Sequence, residues 1–216
     1  LNTSIKENLA LSNLKGSKGE ITLQGEADIP TEWGIFSMKA YSDREDDLMP
    51  HLVLIKEPYQ PDQVVNVRIH SECITGDLFG SKRCECGEQL SKSMEYLSNN
   101  GGLLIYLRQE GRGIGIINKL HAYEKQDEGY DTAEANSILG LEVDGREYLD
   151  AVTILNHLSI TKVNLLTNNP SKLEALEENG IIVESRIPVV VTPRAENKNY
   201  LNTKKTLFGH YLNEVI

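Results

Sequence analysis

KVNLLTNNPSKLEALEENGIIVESRIPVVV, residues 162–191, reads as a strand, a helix and a second strand. The apolar run at 162–167 breaks at Asn168 and Asn169. Pro170 suits the first helical turn, where a missing N–H costs nothing, and KLEALEEN stops at Gly180. IIVESRIPVVV then supplies the next strand. Strands that alternate with helices in this way imply an α/β sheet.

The same pattern extends upstream. EQLSKSMEYLSNN (88–100) places Leu90, Met94 and Leu97 at helical spacing and ends at Gly101, after which GLLIYL (102–107) is a short buried strand. Helices are expected from Ile114 to Lys125, after Asp131 and from Arg146 to Leu158, and Asp131 with Glu134 has the spacing of a capping box. The first third differs: EITLQGEA (20–27), GIFSMKAYS (34–42), HLVLIKE (51–57) and VVNVRIHS (64–71) read as strands. The expected fold is α/β, a mixed sheet with a β-rich N-terminal third and alternating strands and helices after it. It forms a single domain over residues 1–216, with 1–18 as a loosely ordered leader. Whether the β-rich start joins the sheet or packs on it as a second layer is left open by the pattern.

A net charge of −10 argues against a broad grip on nucleic acid, which needs a basic face. There is no run of ~18 apolar residues and no signal-like start, so a membrane partner is not expected and a cytoplasmic location is. The charge is unevenly spread. From Arg68 to Lys119 there are seven Lys or Arg against six Asp or Glu, which leaves room for a local site that holds an anionic small molecule.

All three cysteines lie in CITGDLFGSKRCEC, residues 73–86. An odd number with one residue between Cys84 and Cys86 suits reduced thiols better than disulfides. Residues two apart on an extended segment project to one side, so Cys84 and Cys86 can share a zinc ion with Cys73. Three thiols leave one vertex of a tetrahedron. A fourth protein ligand such as His70 would make the site structural, whereas water there would make it catalytic; a cluster with no metal is the third alternative. QEGRGIG (109–115) follows a strand and opens a helix, so its amides with Arg108 and Arg112 offer a phosphate cradle. Its glycines are spaced GxGxG, not GxGxxG, so a simple tight turn is the alternative, with Arg108, Arg112 and Lys119 forming a solvated face.

RIHSECITGDLFGSKRCECGEQL (68–90), YLRQEGRGIGIINKLHAYEKQDEGYDTAEAN (106–136) and LLTNNPSK (165–172) together resemble the GTP cyclohydrolase II family. The resemblance implies that GTP and water give formate, pyrophosphate and 2,5-diamino-6-(5-phosphoribosylamino)pyrimidin-4(3H)-one, the first step of riboflavin synthesis. It implies a catalytic zinc on Cys73, Cys84 and Cys86, magnesium with the triphosphate, and a homodimer. Nucleotide contacts fall on Arg68, Ile69, His70, Ser71, Glu72, Gln89, Glu110, Gly111, Arg112, Thr132, Thr167 and Lys172. Tyr123 matches a tyrosine near the reacting carbon, Asp144 a proton acceptor and Arg146 a nucleophile.

The chemistry of these groups is separable from the name. Zinc acidifies water for attack at C8 of the purine. Gln89 and Glu110 suit the donor and acceptor edges of guanine. A guanidinium with a pKa above ~12 is a poor nucleophile, so stabilising charge at the α-phosphate is the more conservative role for Arg146. Two other functions fit the same residues: a ring-opening enzyme that stops at the formamide or takes another purine nucleotide, and a binding module built on a structural Cys3His zinc.

Overall fold

A computed structural model describes residues 20–212. The leader expected at 1–18 lies outside the described residues. In chain order the elements are β1 (Thr22–Thr31), β2 (Gly34–Ser42), β3 (His51–Lys56), β4 (Val65–Ser71), α1 (Ile74–Asp77), α2 (Cys86–Asn100), β5 (Gly102–Leu107), a 3-10 turn (Glu110–Gly113), α3 (Gly115–Asp127), α4 (Thr132–Ile138), α5 (Leu149–His157), β6 (Lys162–Leu166), α6 (Pro170–Glu178), β7 (Ile182–Ile187) and α7 (Lys198–Phe208). No helix among the described residues is long and apolar enough to cross a membrane.

The strands form one sheet in the order β1-β2-β3-β5-β4-β6-β7. The β-rich start therefore joins the sheet. β1, β2 and β3 are antiparallel, β3 docks antiparallel on β5, and β5, β4, β6 and β7 run parallel. The join is apolar: Val53 faces Ile105 and Ile55 faces Leu103 across the β3–β5 register, and all four are buried.

Alternation along β4 sorts its side chains between two cores. Val65, Val67 and Ile69 enter the larger cluster, which α5 completes with Ala151, Ile154 and Leu155 and α6 with Leu176. On the opposite face, Met94 and Leu97 of α2 pack with Phe36 and Leu104. Period two therefore turns Arg68 and His70 towards the α2 side, and both are buried.

Local chemistry sets the helix ends. Asp131 accepts from the N–H groups of Ala133 and Glu134 while Glu134 accepts from the N–H of Asp131, the expected capping box on α4. Asn169 caps α6 by accepting from Ser171 N, with Pro170 in the first turn. The helix expected from Arg146 begins only at Leu149, because the Asp144 carboxylate accepts from the Arg146 backbone N–H and holds that stretch irregular. The strand expected over 181–191 ends at Ile187, since Pro188 has no N–H to donate. The one-turn α1 and α7 were not among the expected elements.

Candidate active site

The carboxyl ends of β4, β5 and β6 open on one pocket, the position where parallel α/β sheets hold ligands. β4 leads into Cys73 at the start of α1, and Cys84 and Cys86 flank the start of α2. The Cys73 and Cys84 sulfurs are 3.6 Å apart, and the three sulfurs lie within 4.8 Å of one another. Three sulfurs on a tetrahedral zinc stand about 3.8 Å apart, from Zn–S bonds of about 2.3 Å, so the residues present fit that ion.

Two glycines make the cluster possible. A Cβ on Gly76 would stand 3.0 Å from the Cys84 sulfur and 3.3 Å from that of Cys73, and one on Gly87 would be 2.2 Å from the Gly76 carbonyl oxygen.

Hydrogen bonds from Cys84 and Cys86 hold the Cys73 thiol well below its usual pKa, aided by the Lys119 ammonium 3.1 Å away. The same hydrogen bonding, with burial, pushes Cys84 and Cys86 up.

His70 does not join the sulfurs. Its Nε2 faces the Asp77 carboxylate at 3.0 Å and its Nδ1 faces the Arg68 guanidinium at 3.3 Å. Burial lowers its pKa, so the ring is neutral, and the guanidinium facing Nδ1 sets its proton on Nε2. Among the described residues the cluster that can hold a metal is made of the three cysteines alone.

Around the sulfurs lies an excess of buried cations. Lys119 pairs with Glu110, Lys204 with Glu85 and Arg146 with Asp144. Arg68, Arg112 and Lys172 are at most 9% exposed and take part in no salt bridge among the described residues. Arg68 donates to the Leu166 carbonyl and to Gln89, and Lys172 to the Ile69 carbonyl. Burial pulls Arg68 down to about 10, which leaves it charged at neutral pH. Burial, reinforced by Arg68, Arg146 and Lys204, lowers Lys172 well below the usual lysine range. Uncompensated buried cations are costly, and an incoming anion relieves that cost.

Most of the residues singled out in the sequence line this pocket: Arg68, His70, Ser71, Glu72, Gln89, Glu110, Gly111, Arg112, Thr132, Thr167, Lys172, Tyr123, Arg146 and the three cysteines. Ile69 lies in the core and does not line the pocket; its carbonyl accepts from Lys172, which does. Asp144 reaches the pocket through Arg146, whose Nε donates to it at 2.8 Å. Burial works against that guanidinium, but the Asp144 carboxylate more than compensates and raises its pKa. Asp144, in turn, is disfavoured as an anion by burial yet held low by Arg146.

Glu110 already accepts from Lys119, Gly111 N and Ile74 N, and Gln89 is bonded at both ends, to Arg68 and the Val189 carbonyl. Arg108, a cradle candidate by sequence, instead pairs with Glu72 at 2.7 Å and does not line the pocket. The GRG turn places Arg112 itself at φ 61, with its guanidinium over the Phe208 ring at 4.2 Å. Sequence reasoning missed Asn168, Asn169, Tyr200, Lys204 and His210, all on the pocket wall. The last three belong to α7 and its tail, where polar Lys204 and His210 are buried against the site, so residue type does not mark them as inward-facing.

A mixed α/β sheet that gathers a thiol cluster and unpaired cations at the ends of its parallel strands defines a metal-capable enzyme pocket for an anionic substrate. The family model for GTP cyclohydrolase II matches residues 22–188. A GTP cyclohydrolase-2 of Campylobacter hominis is 46% identical over 194 residues, covering 90% of this chain and 97% of that protein. One from Neisseria meningitidis is 47% identical over 187 residues, covering 86% and 94%. The riboflavin biosynthesis protein RibBA of Staphylococcus haemolyticus is 44% identical over 198 residues, which span 92% of this chain and 50% of that protein. The chain belongs to the GTP cyclohydrolase II family, enzymes of riboflavin biosynthesis that hydrolyse GTP.

Proposed function

We propose that this chain, as a single domain, opens the imidazole ring of GTP at C8 and releases formate and pyrophosphate, with zinc held by Cys73, Cys84 and Cys86. The observation that carries this reading is the pairing, in one pocket, of three converging thiols with three buried cations that have no carboxylate partner among the described residues. Bound zinc supplies Lewis acidity and lowers the pKa of water towards ~7. In the overall balance one water adds to C8 as the C8–N9 bond breaks, a second cleaves the resulting formamide to formate and an amine, and a further water divides the α–β phosphoanhydride.

The chain's own residues bind and orient. Lys172, Thr167, Arg112 and Arg146 form the phosphate side, with His70, Ser71, Glu72, Gly111 and Thr132 completing the nucleotide wall. The carbonyl of Ile69 steadies Lys172. Gln89 and Glu110 face the guanine edge; Glu110 keeps acceptor capacity beyond its three protein donors, since a carboxylate offers about four lone-pair sites. Tyr123 is pushed up to about 12 by burial and so stays a neutral donor beside the thiols, suited to orienting water or the opened ring.

The tight Asp144–Arg146 pair makes the guanidinium harder to deprotonate, which favours charge stabilisation over nucleophilic attack. Magnesium would arrive on the triphosphate: Glu85, Glu110 and Asp144 are each engaged by a cation and provide no ready ligand set. A homodimer and a cytoplasmic location complete the proposal.

The test is to incubate the zinc-loaded chain with GTP and follow formate and pyrophosphate together. Equimolar release of both is expected. Pyrophosphate without formate, or a formamide that accumulates, would refute the complete reaction.

A further inference from the structure

The C-terminal segment lies beyond the stretch matched by the family model, yet it closes one side of the pocket. α7 ends at Gly209, whose φ of 61 lets the chain reverse. The His210 N–H then donates to the Lys204 carbonyl at 3.1 Å, and the Tyr211 N–H donates to the Asn168 carbonyl at 2.9 Å. These bonds fix the His210 backbone against the loop between β6 and α6. His210 is 8% exposed, lines the pocket, and keeps a buried Nε2 with no hydrogen-bond partner among the described residues.

Such a group bears its full desolvation cost until something in the pocket meets it. Its surroundings say what that is. Lys204, Arg146, Lys172 and Arg112 all act on the ring, and the carboxylates of Glu85 and Asp144 are taken by Lys204 and Arg146. Burial first, then these cations, push His210 down to about 2, so the resting ring is neutral and carries one N–H. The groups around it select an anion that can accept.

We propose that His210 donates its Nε2–H to a phosphate oxygen of the nucleotide's triphosphate, making the C-terminal segment part of the substrate site. The inference rests on GTP being the substrate and adds a contact to its phosphate side. A phosphate also brings the negative charge that the surrounding cations lack.

The test uses the zinc-loaded full chain as wild type, His210→Phe and His210→Gln. Phenylalanine keeps the ring's volume and removes the donor; glutamine keeps an N–H. Expected for His210→Phe is a KM for GTP raised roughly ten- to a hundredfold, as for loss of one hydrogen bond to a charged group. Calorimetric affinity for guanosine, which has no phosphate, stays within about twofold by the same argument. The melting temperature does not fall, because an unsatisfied buried polar atom has been removed, and His210→Gln recovers most of the KM. An unchanged KM in His210→Phe, or a parallel loss of guanosine affinity, would overturn the proposal. Wild-type release of formate and pyrophosphate is scored separately, so failure of the parent reaction is distinguishable from failure of this contact.

Discussion

Lys172 shows how a single side chain can be placed against its own stability. The residue is 5% exposed, the one side-chain hydrogen bond it makes among the described residues runs to the Ile69 carbonyl, and the charges that act on it most strongly are cations. Burial and those neighbours lower its pKa, so the folded protein resists holding the proton that a phosphate would welcome. Binding and folding thus pull in opposite directions at this position. Lys172→Met, which keeps the stem and removes the charge, is expected to weaken GTP binding roughly ten- to a hundredfold, the effect of losing a charged hydrogen bond worth about 1.5–3 kcal/mol. The urea midpoint should hold or rise, and zinc content should stay that of the wild type. Equal GTP affinity in the two proteins would remove Lys172 from the site, and a lower midpoint would show that its charge supports the fold.

At the scale of elements, the legible parts were those with a repeating pattern. β5, β6 and α2 announce themselves by apolar period, and α4 and α6 by their caps, so the sheet and most of its helices follow from the chain. The placement of the first three strands in the same sheet was not legible, because alternation gives a strand its faces but not its neighbour. Cys73, Cys84 and Cys86 could be read as a cluster from spacing and residue type. Lys204 and His210 could not, since both are polar residues that the fold buries. The junction of α1 with α2 was equally silent in the sequence, yet the thiol geometry depends on it. Gly87 fits against the Gly76 carbonyl only without a Cβ, which would stand 2.2 Å from that oxygen. Gly87→Ala must therefore part the two helices by more than an ångström and spread the sulfurs. Elemental analysis after dialysis should find most of the zinc lost, with far-UV circular dichroism near wild type because the main core lies elsewhere. Full zinc retention by that variant would mean that the cluster tolerates the displacement.

For the molecule as a whole, the pocket's electrostatics set how stability responds to acid. His210 titrates at about 2 in the folded chain against about 6.5 when unfolded. Between those values the unfolded state binds the extra proton, so stability rises with pH and is lost as pH falls below about 6.5. For one imidazole the loss is about 2 kcal/mol by pH 5, and His70, also lowered by burial, adds in the same direction. The paired carboxylate Asp144 is lowered below its ordinary value, so its contribution is lost in a more acid window. Lys204 and Lys119, raised by their carboxylate and thiolate neighbours against the effect of burial, lose theirs only at alkaline pH. In the interval from pH 5 to 6.5 the buried histidines therefore destabilise the fold as pH falls, and the lowered Cys73 and Lys172 act in the same direction. Urea unfolding of the chain without nucleotide should show a midpoint that falls across this interval, and in His210→Phe the slope should be shallower by close to one proton. An identical slope in the two proteins would mean that His210 is protonated in the folded state, and the cation-rich wall would then have to be screened far more than its burial implies.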